Sequence, residues 1–306
     1  MPEDSSLSEK PISEKSQLPS TIPPFSIVLP VYNEEHGFAL TLDHLQKCLQ
    51  YEDCHYEIIA VNDGSTDNSS QILHQYSHEI KVLEHHRNRG YGAALKTGIR
   101  HAKYPIIVIT DADGTYPNEQ IPHLVSLLKD SDMVVGARIG ANVQYPTIRK
   151  IPKWFLVRFA EWITSSKIPD LNSGLRVMDR SIVERFINIL PNTFSFTTTI
   201  TVAMLTNSYS VHYEPIDYRP RKGRSKIKPI RDTLRFVQLI LRTGMYFAPL
   251  KVFLPITGVF LAAFFVTLFQ DVVIRQDLTE RTIILLIAAT QMAMFALLAD
   301  MIDKRT

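Results

Sequence analysis

Pro105-Ile106-Ile107-Val108-Ile109-Thr110-Asp111-Ala112-Asp113-Gly114 is the stretch on which the fold turns. A short apolar run rich in β-branched residues reads as a buried strand. Two carboxylates one residue apart follow it directly, and strand C-termini of open α/β sheets are where ligands bind. Such a pair suits a hard divalent cation, because Mg²⁺ and Mn²⁺ take oxygen ligands and Mg²⁺ is commonly held by one or two carboxylates plus substrate phosphates. At ordinary Asp usage about one Asp-x-Asp arises by chance in a chain of this length. The weight therefore rests on the flanking strand and on two further motifs.

Working outward, apolar runs at 25–31, 56–62, 80–83, 106–110 and 133–137 read as strands. Helical patterns lie between them, around 36–50, 67–78, 91–103 and 118–129. Strand–helix alternation predicts an α/β domain with a mostly parallel sheet and helices on both faces. Beyond Ile139 the pattern predicts a helix over 149–166, a turn over 170–177 leading into a short strand, helices near 179–189 and 196–207, and a strand near 209–218.

The first strand ends in Leu29-Pro30-Val31-Tyr32-Asn33-Glu34-Glu35 and the second in Val61-Asn62-Asp63-Gly64-Ser65-Thr66-Asp67. Both place polar side chains at the same sheet edge as Asp111. Asp63 can accept hydrogen bonds from a uracil or guanine edge or from a ribose. Asn62-Asp63-Gly64-Ser65 by itself reads first as a plain turn. Asn88-Arg89-Gly90-Tyr91-Gly92-Ala93-Ala94 opens the next helix, where glycines permit close backbone approach.

The 306 residues suffice for one large domain or two small ones, and the net charge of +2 singles out no partner. The charge is unevenly placed. From Arg219 to Arg235 the chain carries eight basic residues against one acid. A solvated charge run is the bland reading. Its position just before a hydrophobic C-terminus favours contact with phosphate or anionic lipid, and no nucleic-acid partner is expected. Cys48 and Cys54 read as structural thiols of a reducing compartment. Residues 1–24 lack an apolar signal-peptide core and are expected to be a disordered tail.

Val252–Phe269 and Thr282–Ala299 contain no charged residue, and each has 18 residues. A helix of that length covers about 27 Å, close to the thickness of a bilayer's hydrocarbon core. A polar link joins them, so the expectation is a transmembrane hairpin with spans of about 250–272 and 281–301. Arg231, Arg235, Arg242 and Lys251 precede it, and Lys304 and Arg305 follow it. Positive-inside bias then places the preceding α/β domain and both termini in the cytoplasm. Between 228 and 248 the apolar residues Ile230, Leu234, Val237, Leu241 and Met245 recur at helical spacing. That segment is expected to be an amphipathic helix at the membrane interface. An ordinary helix packed on the preceding domain is the alternative.

Pro-Val-Tyr-Asn-Glu-Glu (30–35), Val-Asn-Asp-Gly-Ser-Thr-Asp (61–67), Asn-Arg-Gly-Tyr-Gly-Ala-Ala (88–94) and Asp-Ala-Asp-Gly (111–114), in that order, resemble the family 2 glycosyltransferases of the GT-A fold. The resemblance covers about 25–227. Asp170-Leu171-Asn172-Ser173-Gly174-Leu175-Arg176 and Arg221-Lys222-Gly223-Arg224-Ser225-Lys226 narrow it to the polyprenyl-phosphate glycosyltransferases, which include dolichol-phosphate mannose synthase and bacterial polyprenyl-phosphate glucosyltransferases. Leu175 stands where an aromatic residue is common. No Gln-x-x-Arg-Trp occurs, which argues against a processive polysaccharide synthase.

The resemblance implies a set of roles. Pro30, Tyr32, Glu34 and Asp63 would hold the nucleotide. Asp111, Ala112 and Asp113 would bind metal (Mg²⁺ or Mn²⁺), diphosphate and sugar, with Asp113 a direct ligand. Arg138 would approach the phosphates. Arg176, Arg219, Arg221 and Lys226 would serve the acceptor phosphate, Arg221 and Lys226 also closing over the donor diphosphate. Asp170 falls at the family's candidate base. A phosphate acceptor is already a nucleophile at neutral pH, so Asp170 is expected mainly to position the acceptor or an arginine such as Arg176. On that reading, Asp170→Asn would regain much of its activity at alkaline pH.

The implied activity is single-displacement transfer, with inversion, of a hexose from a nucleotide sugar to polyprenyl phosphate at the membrane. UDP-glucose is favoured over GDP-mannose by analogy of the two-helix anchor. Transfer to another lipid, such as a diacylglycerol, and a non-catalytic adaptor are the competing readings. The oligomeric state is not readable from the sequence; membrane hairpins often associate, which leaves a homo-oligomer open.

Overall fold

The computed structural model describes residues 22–50, 54–139, 147–218, 238, 242 and 244–303. Among the described residues seven strands form one mixed sheet in the order β3-β2-β1-β4-β6-β5-β7. They are β1 (Ile22–Val31), β2 (Cys54–Asn62), β3 (Lys81–Glu84), β4 (Ile106–Ile109), β5 (Met133–Ala137), β6 (Arg176–Asp179) and β7 (Val211–Pro215). Strands β1 to β4 run parallel, and so do β5 and β7. β6 inserts between β4 and β5, antiparallel to both.

β1 begins at Ile22, not Phe25, because Ile22 pairs with Cys54 at the start of β2. The tail expected over 1–24 is corrected to that extent; its remainder lies outside the described residues.

The strands are apolar on both faces because helices cover both. Along β1, Ile27, Leu29 and Val31 point to one side. There they meet Phe38, Leu42 and Leu45 of α1 (Phe38–Gln50), Leu73 of α2 (Ser69–Gln75) and Leu124 of α4 (Ile121–Ser126). Val28 points to the other side, toward Leu95 and Ile99 of α3 (Tyr91–Arg100), Val183 of α6 (Arg180–Phe186) and Phe196 and Ile200 of α7 (Phe196–Thr206). This is the period-2 alternation of a strand. The helix expected over 118–129 is a shorter α4 flanked by 3₁₀ turns at Asn118–Gln120 and Leu127–Asp130.

A third cluster joins α5 (Thr147–Thr164) to α7. Leu156, Ala160 and Ile163 pack on Val202 and Ala203, and Phe247 completes the cluster. The amphipathic helix expected over 228–248 lies for the most part outside the described residues.

Beyond it stand two long helices, Pro249–Phe269 and Glu280–Asp303. Their apolar side chains face outward; Val259, Phe265, Ile284 and Leu297 are each more than half exposed. A π-helical turn over Gln270–Arg275 and the left-handed Gln276 reverse the chain between them. Asp271 is buried in that reversal, where its Oδ2 accepts from the Thr279 amide and the hydroxyls of Thr279 and Thr282.

Candidate active site

The loops after β1 and β2 are sewn together by short polar side chains. Asn33, at φ 54°, accepts from the Thr66 amide at 2.8 Å. The Glu34 amide donates to Ser69 Oγ at 2.9 Å and the Glu35 amide to Asp67 Oδ2 at 3.3 Å. Asn62 accepts from the Ser65 amide and donates to Glu84 Oε1, so the end of β3 joins the same wall. An open cleft of about 450 Å³ results, lined by Tyr32, Asn62, Gly64–Thr66 and His85–Asn88 among others. Gly64 has φ 67°, a conformation open to glycine, and a Cβ there would strike the Arg87 backbone. A larger depression of about 660 Å³ lies by Pro105, at the start of β4, and shares no residue with this edge.

Asp63, expected to hold the nucleotide through a base edge or a ribose, is turned into the wall of the cleft in this structure. It is 2% exposed and its carboxylate accepts from His85 Nδ1 at 2.7 Å, the Arg89 amide at 2.9 Å and the Gly90 amide at 2.8 Å. Its charge is spent on fixing the 85–90 loop that opens α3. The cleft wall, not this carboxylate, faces outward.

Asp111 and Asp113 stand half-buried past the end of β4. Thr110 donates to Asn118 Oδ1 at 2.9 Å, and the Ala112 carbonyl accepts from Thr41 Oγ1 of α1 at 3.1 Å. The loop bearing the carboxylates is thus pinned at both ends. Asp113 Oδ1 accepts from the Thr115 amide at 3.1 Å and hydroxyl at 2.6 Å. Asp111 Oδ1 accepts from Tyr91 Oη at 3.1 Å. On its other side lies Gly174, where a Cβ would come within 2.9 Å of Asp111 Oδ2. Two half-exposed carboxylates in a cradle that a methyl group would fill form a hard-oxygen donor set, and they fit Mg²⁺ or Mn²⁺.

Tyr116 bridges this pair to the next charged pair. Its Oη accepts from the Gly174 amide at 2.6 Å, and its ring meets Tyr218 edge-on at 5.2 Å. Arg138 lies over Tyr218, 5.3 Å from the ring centre. Burial and the Asp111 carboxylate push the phenols of Tyr91 and Tyr116 far above the ordinary tyrosine value, so both remain neutral at working pH. Neither was singled out from the sequence.

Asp170 is 2% exposed and pairs in bidentate fashion with Arg138, Nε to Oδ2 at 2.7 Å and Nη2 to Oδ1 at 3.0 Å. The amides of Arg138 and Asn172 add two more hydrogen bonds. The arginine that Asp170 positions is therefore Arg138, not Arg176. Arg176 is corrected too. It is completely buried, donating to the Ser173 and Leu171 carbonyls at 2.8 and 3.0 Å and to Thr201 Oγ1 at 2.7 Å. It holds the 170–176 turn from beneath and does not reach an acceptor. Pro30, Tyr32 and Glu34 stand at the end of β1 beside the cleft, Tyr32 in its lining. Arg219, Arg221 and Lys226 lie outside the described residues.

Comparison with known proteins bears on this geometry. The model of glycosyl transferase family 2 matches residues 26–186, from the first strand to the end of α6. The chain belongs to glycosyl transferase family 2. A second model, the GtrB C-terminal hairpin, matches this family 2 chain over residues 248–304, and with the two exposed apolar helices it makes the chain a membrane protein. The undecaprenyl-phosphate 4-deoxy-4-formamido-L-arabinose transferases of Yersinia enterocolitica and Yersinia pestis are 35% identical to it over 188 residues. The match spans 57% of this chain and 57% of the length of those relatives. Among solved structures, glucosyl-3-phosphoglycerate synthase from Mycobacterium tuberculosis, in complex with Mn²⁺, uridine diphosphate and phosphoglyceric acid, aligns with TM-score 0.55 at 17% identity. That alignment covers 72% of this chain and 78% of that one, and the likeness is one of GT-A fold.

Proposed function

We propose that this glycosyltransferase moves a sugar from a nucleotide donor to a polyprenyl phosphate at the cytoplasmic face of a membrane. The observation that carries the reading is the half-exposed Asp111/Asp113 pair, cradled by Tyr91 and Gly174, on a chain that ends in an apolar hairpin. A divalent metal, Mg²⁺ or Mn²⁺, held by these carboxylates would neutralise charge on the departing diphosphate. The nucleotide lies along the 31–35 and 62–66 loops, with Tyr32 against the base or ribose and Pro30 and Glu34 shaping the bend.

Arg138, kept in place by Asp170, offers fixed positive charge beside the transferred sugar's phosphates. Such preorganised charge is worth most where negative charge develops. Arg219, Arg221 and Lys226 supply the remainder, meeting the acceptor phosphate near the bilayer. A phosphate monoester is largely dianionic at neutral pH, so the acceptor attacks without a protein base. One displacement inverts the anomeric centre and gives a β-linked product from an α-linked donor.

UDP-glucose is the donor favoured by the two-helix anchor. The names of the Yersinia relatives support a second reading, in which the sugar is 4-deoxy-4-formamido-L-arabinose. The test is a panel of labelled nucleotide sugars offered to membranes bearing the full chain and undecaprenyl phosphate, with Mg²⁺ or Mn²⁺. Label in an acid-labile anionic lipid supports the proposal and names the sugar. Label in a neutral lipid refutes the acceptor.

A further inference from the structure

On the outer face of α1, away from the paired aspartates, His44 and Cys48 stand one helical turn apart and meet Glu119 of the 118–120 turn. His44 Nε2 is 3.7 Å from Cys48 Sγ and 3.8 Å from Glu119 Oε2. The three ligand-type atoms all lie within 4.8 Å of one another. A tetrahedral zinc ion with ordinary bond lengths holds its nitrogen, sulfur and oxygen ligands roughly 3.3–3.6 Å apart. The two separations from His44 are thus within a few tenths of an ångström of that spacing, and the third, from Cys48 to Glu119, is no more than 4.8 Å and closes by rotation of the exposed Glu119 side chain. The side chains of His44 and Glu119 are 39% and 43% exposed, which leaves a side open to a water as fourth ligand.

We infer that His44, Cys48 and Glu119 form a second cation site, for a borderline-soft divalent ion of the Zn²⁺ class. The donor chemistry separates it from Asp111/Asp113. Thiolate and imidazole select zinc-like ions, whereas Mg²⁺ and Mn²⁺ prefer the all-oxygen pair. On binding, the Cys48 thiol gives its proton to solvent as the sulfur–metal bond forms.

The position gives the ion a purpose. Thr41, three residues before His44, holds the Ala112 carbonyl, and Asn118, next to Glu119, holds Thr110. An ion linking α1 to the 118–120 turn therefore braces both anchors of the loop that carries Asp111 and Asp113. The site is a clip on that loop and takes no part in the chemistry.

The test uses the full chain in detergent micelles with excess Mg²⁺, titrated with Zn²⁺ alone and with Co²⁺ alone. One equivalent of Zn²⁺ should bind in the micromolar range or tighter. Co²⁺ should give a thiolate charge-transfer band. Zn²⁺ should raise the melting temperature and slow amide exchange over residues 111–117. Cys48→Ser and His44→Ala should each weaken zinc binding by more than about tenfold and remove the cobalt band. Cys54→Ser, whose thiol instead faces the Leu49 carbonyl at 3.7 Å, should leave both unchanged. Absence of saturable zinc binding, or one-equivalent binding that survives Cys48→Ser and His44→Ala together, overturns the inference. Circular dichroism on each variant separates loss of the ligand from loss of the fold.

Discussion

Asp113→Asn keeps the shape of a side chain whose Oδ1 is fixed by Thr115 and removes the charge that a cation needs. Turnover should fall by about a hundredfold or more with an unchanged melting temperature, because metal neutralisation of a leaving group is worth several kcal/mol. Activity that persists in this variant and in EDTA would end the metal assignment. Tyr91→Phe removes one hydrogen bond to a carboxylate, worth about 1.5–3 kcal/mol, and should raise the metal concentration needed for half-maximal rate by about tenfold. Tyr91 also carries a pH signature. Its phenol titrates above the unfolded value, so the folded chain resists ionising it. That contribution is intact below about pH 10 and is lost as pH rises beyond it. Tyr91→Phe should make the alkaline fall in stability shallower, as read by melting temperature against pH. Asp170→Asn should lose activity equally at about pH 6 and about pH 8.5, since the carboxylate serves Arg138 at every pH and not a titrating acceptor. Recovery at the higher pH is the outcome expected from sequence, where Asp170 mainly positions the acceptor, and it would contradict the role of serving Arg138 at every pH. The place of the Asp-x-Asp pair just past β4 was legible because the β-branched run before it reads as a buried strand. Tyr91 and Tyr116 were not, because their contacts join positions 20 and 58 residues apart. Arg176 misled because arginine is seldom fully buried, and the carbonyls and hydroxyl that satisfy it come from a turn and a helix that only the fold brings together.

At the scale of elements, periodicity placed the strands to within a few residues but could not give direction. A four-residue buried run such as Arg176–Asp179 reads the same whether it runs parallel or antiparallel, so the reversal of β6 appears only when its partners are seen. The hairpin turn was equally hidden. Asp271 lies within the link between two apolar runs, yet it gathers three donors from Thr279 and Thr282 and ties the start of the second helix to the end of the first. Asp271→Ala strands those donors and should destabilise the hairpin by about 1–3 kcal/mol, read as a lower melting temperature in detergent with nucleotide affinity unchanged. An unaltered melting temperature would show that helix packing alone sets the reversal. A second tie joins hairpin and domain. Lys251 donates to the Ile163 carbonyl at 2.6 Å and to Ser165 Oγ at 2.8 Å, closing the C-terminal end of α5 as a cation does best.

For the whole molecule, that tie alters what truncation should do. A chain ending near Pro229 would lose Phe247 from the α5–α7 cluster and Lys251 from the end of α5. It should still bind nucleotide, since the cleft is built from residues 32–88, but melt at a lower temperature than the full chain. On the proposed function, in which the hairpin keeps the lipid near the site, long polyprenyl acceptors should suffer more than short soluble ones. Full activity of the truncated chain on long acceptors in membranes would contradict that division. The central claim is that Asp111 and Asp113 drive sugar transfer onto a lipid phosphate, and the most direct measurement is radiolabel transfer from a nucleotide-sugar panel to undecaprenyl phosphate by the full chain, beside Asp113→Asn. The account predicts metal-dependent label in an acid-labile anionic lipid that disappears in the variant. Label in a neutral lipid, or equal label from both proteins, would contradict it.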